Sequence, residues 1–172
     1  DISVLVETPP YTEALRRAFL PGPLTMVYPS KGKVSPAVSC GLPTLSVRVP
    51  SSPTAQAFLR AVDVPIAAPS ANRSKHVSPV TAQHVLDDFE GDIPLIIDGG
   101  ASQGGIESTV LDCTGEVPQI LRAGLVTREM IASVVGACGI YHMRVGEKPK
   151  SPGMAYKHCA PGCRTAFFSA DN

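Results

Sequence analysis

Proline and glycine fall between the apolar runs of this chain, and that punctuation sets what it can build. Seventeen prolines and fifteen glycines in 172 residues exceed ordinary usage. Their placement between apolar runs marks turns and element ends, not disorder. Between the breaks, short β-branched runs alternate with helical patterns. Residues 2–6 predict a strand. Thr8, Pro9 and Pro10 open a helix to about Leu20, with Tyr11, Leu15, Ala18 and Phe19 on one face. Pro21-Gly22-Pro23 stops it, 24–28 predicts the next strand, and a Ser-, Gly- and Pro-rich loop leads to a strand over 44–49.

Ser52-Pro53 and Ser78-Pro79 each combine an N-cap hydroxyl with proline at the first helical position. The helices they start carry Ala55, Phe58, Leu59 and Val62, then Ala82, Val85, Leu86 and Phe89, as stripes expected to be buried. Residues 65–68 read as a short buried strand, and 95–97 as a strand leaving into Asp98-Gly99-Gly100. Strands over 108–111 and 119–121 flank a turn at Thr114-Gly115. Thr127 caps a last helix that buries Ile131, Val134 and Val135. The sum is an α/β fold with helices packed on a twisted, mixed, open sheet. Periodicity fades from about Gly139. The expected division is a domain over 1–138, a Pro-, Gly- and Lys-rich linker over 139–163, and the possible start of a C-terminal domain over 164–172.

Fifteen Lys+Arg balance fifteen Asp+Glu, so no bulk field draws the chain to a long nucleic acid or a membrane surface. No apolar run approaches the ~20 residues of a spanning helix, and the opening Asp1-Ile2-Ser3 lacks the basic segment and apolar core expected of a signal peptide. Cys40, Cys113, Cys138, Cys159 and Cys163 are odd in number and scattered, which predicts reduced thiols and a cytosolic setting.

The segment richest in chemistry is Pro65-Ile66-Ala67-Ala68-Pro69-Ser70-Ala71-Asn72. Small residues let a ligand approach the backbone, and Ser70 and Asn72 offer donors to phosphate or carboxylate oxygens. The helix start beyond adds a field for anions. A plain connection whose Ser and Asn satisfy turn geometry fits the same letters. Arg73, Lys75 and His76 make a small basic patch suited to a nucleotide's phosphates. The glycines at 99–105 lack the Lys-Ser/Thr of a P-loop and lead into a strand, so they fail as a nucleotide motif. Glu107-Ser108-Thr109 begins an otherwise apolar strand. Arg48 and Arg122 each end one, where arginine can clamp an anion or form a surface ion pair. His158, Cys159 and Cys163 lack a fourth ligand, so no metal site is expected.

Taken in order, Pro21-Gly22-Pro23-Leu24-Thr25, Ser46-Val47-Arg48-Val49-Pro50, residues 65–72, Ile97-Asp98-Gly99-Gly100, Glu107-Ser108-Thr109-Val110 and Leu121-Arg122-Ala123-Gly124 resemble the threonylcarbamoyl-AMP synthases, the YrdC-like proteins. Ser151-Pro152-Gly153-Met154, Tyr156-Lys157-His158 and Ala160-Pro161 resemble the linker of their two-domain form. The resemblance implies the YrdC-like α/β twist and a synthase that uses L-threonine, bicarbonate and ATP with Mg²⁺. It releases pyrophosphate and supplies a threonylcarbamoyl transferase complex that modifies tRNA. It implies nucleotide contacts at Thr44, Ser70, Asn72, Ser78 and Arg122, with Tyr156 helping the linker close over the pocket. It implies threonine contacts at Arg48, Ala68 and Ser108. No residue is assigned a covalent role: positioning and charge neutralisation carry the reaction.

The sequence departs from that family where a threonine-binding segment and a Lys-x-Arg motif would precede Asp1, and where Cys159 stands for an expected Tyr. The expectation is an N-terminally truncated synthase, weakly active or inactive alone. Two other readings are compatible with the motifs: the carbamoyl-adenylate domain of a hydrogenase-maturation protein, and a nucleotide- or RNA-binding module without catalysis.

Overall fold

In the computed structural model, which describes residues 2–74 and 76–142, one strand orders the rest. That strand is β1, Leu24–Pro29. It pairs antiparallel with β2 (Thr44–Val47) on one side and parallel with β3 (Thr109–Asp112) on the other. Beyond β3 lie β4 (Gln119–Arg122), antiparallel, and β5 (Gly139–Ile140), parallel to β4. The order β2-β1-β3-β4-β5 is the expected mixed sheet. The helices are α1 (Thr12–Phe19), α2 (Pro36–Ser39), α3 (Pro53–Val62), α4 (Ala82–Phe89) and α5 (Arg128–Val135).

Strand side chains alternate between faces, so each strand divides its residues between two environments. Leu24, Met26 and Tyr28 of β1, Leu111 of β3 and Ile120 of β4 face α1 and α5, where Leu15 and Ile131 complete the core. Leu15 is fully buried; such burial stabilises by about 1.5–3 kcal/mol. Burial also pushes the Tyr28 phenol up to about 12. Tyr11, at the head of α1, donates its hydroxyl to the Gly115 carbonyl at 2.9 Å and so ties the helix to the β3–β4 turn. The opposite face carries Thr25, Val27 and Val110.

The structure differs from the sequence reading in several places, each with a local cause. Residues 2–6 are not a strand: Ile2–Val4 is a 3-10 turn. The Ile2 carbonyl accepts from Leu5 N–H at 2.9 Å and Val6 N–H at 3.1 Å, which leaves only an isolated bridge from Val6 to Ser30. The loop before β2 contains α2, started by Ser35 and Pro36. β2 ends at Val47, and Val49 O instead accepts from Gly22 N–H at 2.8 Å. Ser52 caps α3 as expected. By contrast, α4 starts at Ala82 with Thr81 as its cap, because the Ser78 hydroxyl is engaged with Glu107.

The largest difference is burial. Residues 65–68 and 95–97 form no strand and lie outside the sheet, with Ile66 41% and Leu95 74% exposed. The stripes of α3 and α4, expected to be buried, bury no residue. At the other end, Gly139–Ile140 belongs to the sheet; the expected linker from 143 onward and the segment 164–172 lie outside the described residues.

Candidate functional site

The sheet face turned away from α1 and α5 collects the polar groups. Thr25 is a half-buried hydroxyl flanked in β1 by the buried Leu24 and Met26, and its Cα partner in β3 is Val110. Ser108, just ahead of β3 and 5% exposed, shares that face by alternation. The two hydroxyls lie 2.7 Å apart. A buried hydroxyl without a partner would be costly, so this pair is mutually stabilising.

Arg122 reaches the same point by an irregularity of its strand. Asp112 pairs with Gln119 and Leu111 with Ile120, but Val110 pairs with Arg122, not Leu121. Leu121 is the extra residue of a bulge. Plain alternation would put Arg122 on the core face with Ile120; the bulge turns it onto the face of Thr25 and Ser108. There its guanidinium donates to the Ser108 carbonyl from Nε at 3.2 Å and from Nη2 at 2.9 Å. Nη2 also reaches Ser108 Oγ at 3.4 Å. Gly124 permits the crossing behind it. A Cβ at 124 would stand 2.7 Å from the Glu107 carbonyl oxygen and 2.8 Å from the Ser108 carbonyl carbon, and closer still to Thr109 N. Thr109 then locks the turn, its buried hydroxyl donating to Val126 O at 2.8 Å and accepting from Val126 N–H at 3.1 Å.

A second group joins from the loop before α4. The Ser78 hydroxyl donates to Glu107 Oε1 at 2.8 Å, tying that loop to the residue beside Ser108. Asn72 braces the same loop, its amide donating to the carbonyls of Arg73 at 3.0 Å and His76 at 3.1 Å. Asp88 of α4 holds the loop from behind: Oδ2 accepts from Arg73 N–H, and Oδ1 meets His76 Nδ1, both at 2.6 Å. Those contacts, first that of the Arg73 backbone, hold the Asp88 carboxyl below its ordinary value. Arg73 also pairs with Asp92 and lies 5.5 Å from the Phe89 ring centre.

Of the residues singled out in the sequence, Ser108 and Arg122 are in contact, and Ser78 is tied to their neighbour Glu107. Asn72 shapes the loop. Ala68 and Ser70 stand on the exposed segment after 65. Thr44 is half-buried at the start of β2, opposite Pro29; Arg48 is exposed one residue past that strand. Tyr156 lies outside the described residues, as do His158, Cys159 and Cys163. Two participants were not singled out as site residues, Thr25 and Glu107. Thr25 had a signal: it is a small hydroxyl residue between the apolar Leu24 and Met26. Among the described residues no group of three His, Cys, Asp or Glu could hold a metal ion, and no helix is long and apolar enough to cross a membrane. The arrangement can bind anions on a guanidinium and two hydroxyls that flank a strand start.

Comparison with known proteins gives that geometry a family. The Sua5_yciO_yrdC family model, described as telomere recombination, matches residues 1–124. The chain belongs to the Sua5/YciO/YrdC family. Among its relatives, the threonylcarbamoyl-AMP synthase of Bacillus subtilis is 44% identical over 171 residues, 94% of this chain and 49% of the relative. That of Pyrococcus abyssi is 43% identical over 158 residues, 90% of this chain and 46% of the relative. The crystal structure of P. abyssi Sua5 complexed with L-threonine has a TM-score of 0.86 at 43% identity, covering 93% of this chain and 48% of that one. E. coli YciO is more distant, with a TM-score of 0.61 at 25% identity over 72% of this chain and 61% of that one. The chain spans about half the length of the curated relatives it matches.

Proposed function

We propose that this Sua5/YciO/YrdC chain serves the synthesis of threonylcarbamoyl-AMP and pyrophosphate from L-threonine, bicarbonate and ATP. The observation that carries the reading is the Ser108–Arg122 pair, held by the β4 bulge on the sheet face opposite α1 and α5. Relatives named threonylcarbamoyl-AMP synthase support it, as does a Sua5 structure complexed with L-threonine. In the proposed reaction the amine of threonine attacks the carbon of bicarbonate, a C–O bond breaks, water leaves, and an N-carboxy-threonine remains. A carboxy oxygen of that species attacks the α-phosphorus of ATP, the bond to the bridging oxygen breaks, and pyrophosphate leaves. ATP enters as its Mg²⁺ complex.

Such a step needs little covalent help and much positioning. Arg122 would neutralise phosphate charge, with Thr44, Ser70, Asn72 and Ser78 as further nucleotide contacts and Tyr156 contributing from the linker. Arg48 would take the threonine carboxylate, beside Ala68 and Ser108. The product would pass, in the cytosol, to a threonylcarbamoyl transferase complex acting on tRNA.

The test is pyrophosphate release from ATP, with and without L-threonine and bicarbonate, by this chain and by the full natural chain. Threonine-dependent release by the full chain is the expected result. ATP binding without such release would leave a nucleotide-binding module and remove the synthase reading. Release with carbamoyl phosphate in place of threonine would move the chain to the carbamoyl-adenylate class.

A further inference from the structure

We propose that Thr25 is a positioning residue for the substrate threonine, acting by fixing the direction of the Ser108 hydroxyl proton. The proposal rests on the reading of Ser108 as a threonine contact. Thr25 sits between Leu24 and Met26, both fully buried, in a strand whose other hydroxyl, that of Tyr28, points to the opposite face. A hydroxyl there is unfavourable unless it is bonded, and its bond is the 2.7 Å contact to Ser108 Oγ.

A serine hydroxyl has one proton and two lone pairs. At Ser108, Arg122 Nη2 stands 3.4 Å from Oγ, and arginine can only donate. That approach occupies one lone-pair direction. If the Thr25 hydroxyl donates into the other, the hydrogen bonds found among the described residues offer the Ser108 proton no other acceptor, and it is directed away from the strand. It then donates to an oxygen of an anionic ligand: the carboxylate of threonine or the carboxy group added to its nitrogen. The two hydroxyls in series polarise one another, so the outer donor is stronger than an isolated serine. The ligand class that fits is a small carboxylate-bearing amino acid.

Thr25→Val removes the hydroxyl and keeps the shape, and Thr25→Ser keeps the hydroxyl. In the full natural chain, Thr25→Val is expected to raise the KM and calorimetric Kd for L-threonine by about tenfold, the worth of one hydrogen bond. KM for ATP should stay within about twofold, and Thr25→Ser should restore threonine affinity, as loss of a single polar contact requires. In a Ser108→Ala background, Thr25→Val should add no further loss in threonine affinity, because the two groups act through one contact. Thr25→Val overturns the proposal if threonine affinity is unchanged, if both substrates weaken equally, or if its effect persists in Ser108→Ala. If the unmodified full chain binds no L-threonine, the functional reading itself falls and this proposal with it. If it binds and Thr25→Val matches it, only the assignment of Thr25 falls.

Discussion

Between residues 24 and 28 and between 93 and 97 the chain spends similar apolar letters on opposite outcomes. Leu24, Met26 and Tyr28 are sealed between the sheet and the pair α1 and α5. Ile93, Leu95 and Ile97 are 39%, 74% and 56% exposed. The same split runs through the molecule. Every buried apolar residue among those described lies between 6 and 45 or between 110 and 131, and α3 and α4 between them bury none. Periodicity specifies that an element has an apolar face; what covers that face is decided by strands elsewhere in the chain. The half that lacks cover holds the loop of Ser70, Asn72 and Ser78, while the covered half fixes Ser108 and Arg122.

The sharpest way to break this contrast is to delete the same side chain from each half. Leu111→Ala should lower unfolding free energy by about 2–5 kcal/mol, as fully buried leucines do. Leu95→Ala should change it by no more than about 0.5 kcal/mol. Urea titration measures both, and an equal cost would mean that 93–97 is buried in solution. Hydrogen exchange sharpens the point: amides of β1 and β3 should open only with global unfolding, and those of 64–71 and 93–99 far more readily. A smaller effect is expected at Thr109, whose hydroxyl makes two buried bonds to Val126. Thr109→Val should cost about 1–3 kcal/mol by leaving a carbonyl and an amide unpaired.

The least effect concerns pH and belongs to the open half. Asp88 has a folded value below its ordinary one, so its contribution is present above the ordinary carboxylate range. It is lost as pH falls through the lowered value. Exchange protection at the Arg73 amide should therefore be steady at neutral pH and fall in acid. In Asp88→Ala it should be low throughout. A protection unchanged in that variant would show that the clasp does not hold the loop.

Much of the covered half was legible in the letters. Strands over 24–28 and 119–121, the helix ending before Pro21 and the Thr127 cap all follow from local periodicity and stop signals. The short helix after Ser35-Pro36 carried the same start signal as Ser52-Pro53, but lay in a stretch that composition marks as loop. The exposure of 65–68 and of the α3 and α4 stripes was not legible, because a partner is a tertiary fact. In the site, Ser108 and Arg122 could be singled out as a polar strand start and a strand-end arginine. Their contact depends on a pairing shift that leaves no mark in the letters of β4.

That shift has a consequence for how this stretch can change over time. Because Leu121 is the surplus residue of β4, the outward aim of Arg122 is encoded by counting, not by lettering. Losing that surplus position would leave Arg122 opposite Val110 in a regular ladder, whereas closing the bulge with all four residues kept would turn a permanent positive charge toward the interior beside Ile120. Substitutions at 121 leave the count intact. Across relatives, a strand one residue shorter at 121 should therefore still present its arginine outward.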